Sequence, residues 1–133
     1  MSNSGVLLSP IPNAEGREIG GVRIDVVKAG ASRVKRVIYP ASFRWSKDMK
    51  GIVGTEWCMH AHVGFLAQGQ IHIEYQDGCS REFTAPEVLV IEPGHDGWVV
   101  GGEPAIVIEF DFERETTSRL GMPELHSHNS PTL

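Results

Sequence analysis

The chain has 133 residues, 41% of them hydrophobic and 22% charged, with a formal net charge of −5. That length supports one domain with a hydrophobic core of its own, and the composition is ordinary for a globular chain. Acidic and basic residues are interleaved, so neither a basic stripe for nucleic acid nor an attraction to an anionic membrane surface is expected.

Residues 1–20 mix Ser, Pro, Asn and Gly with scattered apolar residues and read as an irregular N-terminal arm. The opening MSNSGVLLSPIP lacks a basic start followed by a long apolar run, so no signal peptide is expected. No apolar run reaches the roughly 18 residues of a membrane span. The expected location is the cytoplasm, with the thiols of Cys58 and Cys79 reduced.

From residue 21 the signals are for strands. VRIDVV, RVKRVIY and FRW are rich in β-branched and aromatic residues and are broken by Gly or Pro. KDMKGIVGT reads as a loop, and EWCMHAHVGFLA as the next strand. Gly69 marks a turn before QIHIEY, and Asp77-Gly78 is a hairpin signal, because that turn needs positive φ. CSREFT, EVLVIE and WVV continue the series, with PGHDG and Gly101-Gly102 as turns between the later strands. In the last strand, AIVIEFDF, the residues Ile106, Ile108, Phe110 and Phe112 share a face and read as core. Glu109 and Asp111 share the other face, where such a pair is more often solvated than catalytic. Only SRLGMPELH hints at helix, and SHNSPTL reads as a frayed end. Many short strands with Gly and Pro turns predict an all-β sandwich or barrel, which also removes exposed sheet edges.

One stretch carries chemistry. In EWCMHAHV, alternation puts Glu56, Cys58, His60 and His62 on one face and Trp57, Met59, Ala61 and Val63 on the other. Cys, His and carboxylate form a mixed, borderline-soft donor set that suits zinc first and iron second. A lone buried Cys is often a small hydrophobe, and a lone His is often a hydrogen-bonded core residue. Four donors on one face, with His95 in a later turn, favour a metal cluster over that plainer reading. Asp96 either orients the His95 imidazole or is a simple turn residue. Trp98, Phe83 and Phe110 are candidate pocket-lining residues, while core packing is expected for at least two of Trp45, Trp57 and Trp98. His72 reads as outward-facing, and His126 and His128 lie in the tail.

The stretches CMHAHVGFLAQGQIHIEYQDG and APEVLVIEPGHDGWVVGGEPAIVIEF, led in by FRWSKDMKGIVGTEWC, resemble a small cupin of a poorly defined subgroup. The resemblance, which runs from about Phe43 to Phe112, implies a double-stranded β-helix, or jelly-roll, barrel; with the strand signals it gives a barrel domain over residues 21–115 and a C-terminal tail over 116–133. It also implies a metal held inside the barrel by two His and a Glu of the first motif and a His of the second. Two registers fit. One aligns Gly54, His60 and His62; the other, anchored on the Gly69 turn, places Glu56, Cys58 and His62 in the ligand slots and is preferred. In the second motif the His slot falls on Gly97, and His95 lies two residues earlier. The implied functions are metal-dependent Lewis-acid chemistry on a small polar molecule, or a non-catalytic small-molecule binding or sensory module. A metal-free barrel lined by Cys and His is the third reading. A homodimer is implied as well.

Overall fold

The structure, a computed structural model, describes residues 4–126. The expected strands form, but the arm and the loops are more ordered than the sequence implied. Helix α1 (Ser4–Leu8) precedes strand β1 (Glu15–Ile19), which pairs antiparallel with β2 (Val22–Ala29). The irregular arm over 1–20 therefore contributes an edge strand to the barrel wall. Strand β3 (Ser32–Tyr39) follows, and KDMKGIVGT, read as a loop, lies mostly within two short helices, α2 (Trp45–Asp48) and α3 (Lys50–Val53). Of the expected strand FRW only Arg44 makes a bridge, to Trp98, before Trp45 enters α2.

Strands β4 (His62–Gln68), β5 (Gln70–Tyr75), β6 (Ser80–Thr84), β7 (Glu87–Ile91), β8 (His95–Val100) and β9 (Ala105–Asp111) complete the barrel. They form a six-stranded sheet, β1-β2-β3-β9-β4-β7, and a three-stranded sheet, β6-β5-β8. All pairings are antiparallel. After a 3-10 turn at Glu113–Glu115, helix α4 (Thr116–Arg119) buries Thr116 and Thr117, so the start of the expected tail is packed. Among the described residues no helix is long and apolar enough to cross a membrane.

The two sheets enclose a core of Val22, Val37, Leu66, Ile71, Ile73, Phe83, Leu89, Ile91 and Val107. Ile106 is buried as expected, but from Val107 onward the parity of β9 is the reverse of the one expected. Its inward face carries Ala105, Val107, Glu109 and Asp111, all at most 1% exposed, while Phe110 is 42% exposed on the outside. The reason lies across the sheet. Val37 faces Val107, Lys35 faces Glu109 and Arg33 faces Asp111 in register, so the carboxylates turn inward to meet cations on β3. Lys35 Nζ lies 2.8 Å from Asp111 and 3.4 Å from Glu109, and Arg33 makes a bidentate contact with Asp111 at 2.8 and 3.1 Å. Such a network outweighs the hydrophobic count on the strand, because a buried charge is tolerated only when paired.

Gly64 on β4 allows the approach. A Cβ there would stand 2.6 Å from Glu109 Cα and collide with the Ile108 carbonyl. Without a side chain, β4 and β9 close up, and His62 comes within reach of Glu109. Outside the barrel, Arg36 is clasped by Asp25 and donates to the carbonyls of Leu7 (2.8 Å) and Ser9 (2.6 Å), which ties α1 to the sheet.

Candidate metal centre

The segment from Glu56 to Ala61 is not a strand. Strand β4 begins at His62, and before it Cys58 makes a single antiparallel bridge to His95. Cys58 N donates to the His95 carbonyl at 2.8 Å, and Gly94 N and His95 N donate back to the Cys58 carbonyl at 2.8 and 3.2 Å. That backbone clasp does what strand alternation was expected to do, and it brings Cys58 beside His95. His95 itself begins β8, where PGHDG had suggested only a turn.

Cys58, His62 and His95 offer ligand atoms that all lie within 4.8 Å of one another. Cys58 Sγ is 4.0 Å from His62 Nε2. The other nitrogen of His62, Nδ1, sits 3.2 Å from both carboxylate oxygens of Glu109. His95 Nδ1 donates to the Glu92 carbonyl at 2.8 Å. With both Nδ1 atoms engaged, Nε2 is the lone-pair nitrogen on each ring, the arrangement in which metal-binding imidazoles are usually held. The His62 and His95 ring centroids are 5.2 Å apart.

His60, His62 and Glu109 form a second overlapping donor group. The His60 side chain is 37% exposed and lies between Lys35 Nζ at 3.2 Å and Asp111 Oδ2 at 3.4 Å. Of the five expected ligands, four therefore gather at one end of the barrel. Glu56 does not. It is exposed and pairs with Lys50 at 3.1 Å, because the irregular segment turns it outward. Glu109 is the carboxylate that lies beside His62 and His60 instead. The i, i+2 pair Glu109/Asp111 was visible in the sequence, and the basic alternation Arg33, Lys35 on β3 was the signal that it faces inward.

The expected supporting residues also divide. Asp96 does not orient His95; it accepts from Ser46 N at 3.0 Å at the start of α2 and pairs with Arg44 at 3.3 Å. Trp98 lines the cavity and stacks on His72 and under the Arg44 guanidinium. Phe83 is fully buried in the core and does not line the cavity, and Phe110 is on the outer face. Trp45 is core, but Trp57 and Trp98 are only half-buried, so one tryptophan rather than the expected two packs in the core. His72 faces outward and bonds Glu82 at 2.8 Å. His128 falls outside the described residues.

Burial sets the protonation states. It pushes the Cys58 thiol up to about 11 and lowers His62 below its usual value. Burial, reinforced by the nearby His62, takes His95 down to about 3. Both imidazoles are therefore neutral near pH 7, which is the metal-binding form. Burial opposes ionisation of Glu109 as well, but His62, His60 and Lys35 outweigh it and hold the carboxyl well below its usual range. His60 is shifted up: Asp111 and Glu109 overcome the effect of its burial.

The cluster opens into a cavity of about 880 Å³ whose walls include Val22, Ile24, Val37, Ile71 and Val99. Three ligands with one open position beside such a space can polarise a carbonyl or activate water.

No protein-family model matches the chain, and no curated protein matches it in sequence. Solved structures do match in shape. A cupin 2 conserved barrel domain protein from Salinispora arenicola has a TM-score of 0.56 at 13% identity, covering 86% of this chain and 94% of that one. A cupin-like protein from Thermotoga maritima has a TM-score of 0.52 at 12% identity, covering 82% and 79%. An RmlC-like cupin from Shewanella frigidimarina has a TM-score of 0.51 at 17% identity, covering 77% and 86%. The two antiparallel sheets and these likenesses together make the chain a small all-β barrel with the cupin fold.

Proposed function

We propose that the chain binds one divalent metal ion, zinc before iron, through Cys58, His62 and His95, and acts on a small polar molecule in the cavity. The supporting observation is the convergence of those three donors with each imidazole already held through Nδ1, by Glu109 or by the Glu92 carbonyl. When bound, the ion supplies Lewis acidity at the cavity floor. The protein's own residues do the rest. Glu109 fixes the His62 tautomer and raises its basicity. Lys35 and Arg33 hold Glu109 and Asp111 as carboxylates. His60, half in solvent, is placed to pass a proton between the cavity and bulk water. The apolar walls exclude water from the bound molecule, which strengthens every polar contact inside. A cytoplasmic setting belongs to the same reading, and neither Cys58 nor Cys79 is in a disulfide.

The test is elemental analysis of purified protein with zinc reloading after chelation. Near-stoichiometric zinc, lost in Cys58→Ala and His62→Ala, is the expected result. A chain that retains no zinc, or a Cys58→Ala variant that binds it as tightly, would overturn the reading.

The size and apolar walls of the cavity favour a second reading, a binding or sensory barrel without catalysis. A chelated protein that still takes up a small apolar-faced ligand in a fluorescence displacement assay would support it. Homodimer formation is also proposed. Val34, Phe65, Val88, Val90 and Phe110 are all exposed on the outer face of the six-stranded sheet, and Val34/Phe110 and Phe65/Val88 are cross-strand neighbours. A contiguous apolar patch of this kind usually marks an association surface. Phe110→Asp is expected to convert a dimer to a monomer in light scattering. A wild-type monomer at high micromolar concentration would refute it.

A further inference from the structure

A second donor cluster lies outside the site described above. Asp77 belongs to the β5–β6 turn, Cys79 follows it, and His126 comes from the chain beyond α4. Their ligand atoms all lie within 4.8 Å of one another. A tetrahedral ion with bonds of about 2.0–2.3 Å separates its ligands by somewhat less, so small side-chain rotations close the set.

The cluster is built into the fold. Asp77 Oδ1 accepts from Cys79 N at 2.9 Å, which fixes the turn. His126 N donates to the Pro93 carbonyl at 3.2 Å, and the His126 ring stacks on Tyr75 with centroids 3.7 Å apart. His126 Nδ1 meets Glu92 Oε1 at 2.9 Å, which leaves Nε2 directed to Asp77 Oδ2 at 3.7 Å. A carboxylate holding one imidazole nitrogen, with a cysteine thiol close to the ring, parallels the arrangement at His62. Glu92 serves both clusters: its carbonyl holds His95 and its carboxylate holds His126.

We propose that Asp77, Cys79 and His126 form a second divalent-metal site, with a zinc-type ion clipping the segment after α4 onto the β5–β6 hairpin. The donor set is one thiolate, one imidazole and one carboxylate. Binding replaces the thiol proton of Cys79, which leaves to solvent.

Cobalt(II) titration of the full chain tests this, because thiolate ligation gives a near-ultraviolet charge-transfer band. The chain has two cysteines, so a Cys58→Ser background reports on Cys79 alone. The band is expected at one equivalent of cobalt in Cys58→Ser. It should vanish in Cys58→Ser/Cys79→Ser and require about tenfold more metal in Cys58→Ser/His126→Ala. A second measurement needs no variant: zinc should slow alkylation of Cys79 by iodoacetamide at least about tenfold, read by peptide mass. Absence of the band in a folded Cys58→Ser protein, or equal alkylation of Cys79 with and without zinc, overturns the inference. A wild-type band that disappears in Cys58→Ser, with Cys79 unprotected, overturns this site and leaves the Cys58 centre standing. Protection of Cys79 without any Cys58-dependent band does the reverse.

Discussion

Replacing Lys35 with Met tests the charge network that turns β9 around. The Lys35 ammonium lies 2.8 Å from Asp111 and 3.4 Å from Glu109, with only 10% of its side chain exposed. At an effective dielectric near 20, these separations give gross attractions of about 6 and about 5 kcal/mol. Desolvation of the ions offsets much of that, and breaking such a buried pair typically costs about 3–5 kcal/mol. Arg33 continues to serve Asp111, so Glu109 is the carboxylate left short of a cation. The pH dependence carries a sign. In the wild type both carboxyl pKa values are depressed below their ordinary 4.5 and 3.8, so their stabilisation is present above those values and is lost as pH falls. In Lys35→Met, protonating Glu109 relieves the orphaned charge. The loss should be about 3–5 kcal/mol at pH 7 and clearly smaller near pH 4.5. Urea denaturation at the two pH values measures it. A loss under about 1 kcal/mol at neutral pH, or a loss that grows on acidification, would show that the network does not hold β9 in this register.

Metal binding should release close to one proton at pH 7: the Cys58 thiol, pushed up to about 11, must ionise, whereas His62 and His95 are already neutral. Affinity should therefore climb about tenfold per pH unit from 7 to 9; calorimetry in buffers of different ionisation enthalpy counts the protons, and a count of zero refutes the assignment. Gly64→Ala should cost more than about 3 kcal/mol, since the new Cβ meets backbone rather than movable side chain, and a melting temperature within a few degrees of wild type would contradict the close β4–β9 approach. Asp25→Asn should destabilise by about 3 kcal/mol at pH 7, because the buried Arg36 loses its carboxylate partner. Asp25 titrates below its ordinary 3.8, so this contribution is present above that value and is lost as pH falls below it, through the lowered folded-state value. Hydrogen exchange at the α1 end should quicken with it, since Arg36 also anchors Leu7 and Ser9.

The parts of the fold legible in the sequence were those written in local chemistry. Asp77-Gly78 and Gly69 placed the turns that bound β5, and the β-branched runs at 22–29 and 32–39 placed β2 and β3. The parity of β9 was not legible from β9 alone, because four large apolar residues outvoted Glu109 and Asp111 until their partners on β3 were known. The sequence groups the candidate site's donors by a pattern that only partly matches the reason they meet. Alternation grouped Cys58, His60 and His62 as strand neighbours, yet the strand starts at His62, and the grouping arises from the bridge between Cys58 and His95. The same irregularity sent Glu56 to solvent. Glu109 as the acidic partner needed a long-range pairing that no local pattern encodes. The role of Asp96 at the start of α2 is hidden in the sequence, because FRW reads as strand and KDMKGIVGT as loop, which leaves no helix start for it to serve.

His62 stands on the larger sheet and His95 on the smaller, and a single backbone clasp from Cys58 spans the gap. The spacing of the three donors is thus governed by how the two halves of the barrel ride against each other, not by a mobile flap. A guest between them would feel the stiffness of the entire shell. Repacking deep in either wall would retune the fit while leaving every donor untouched.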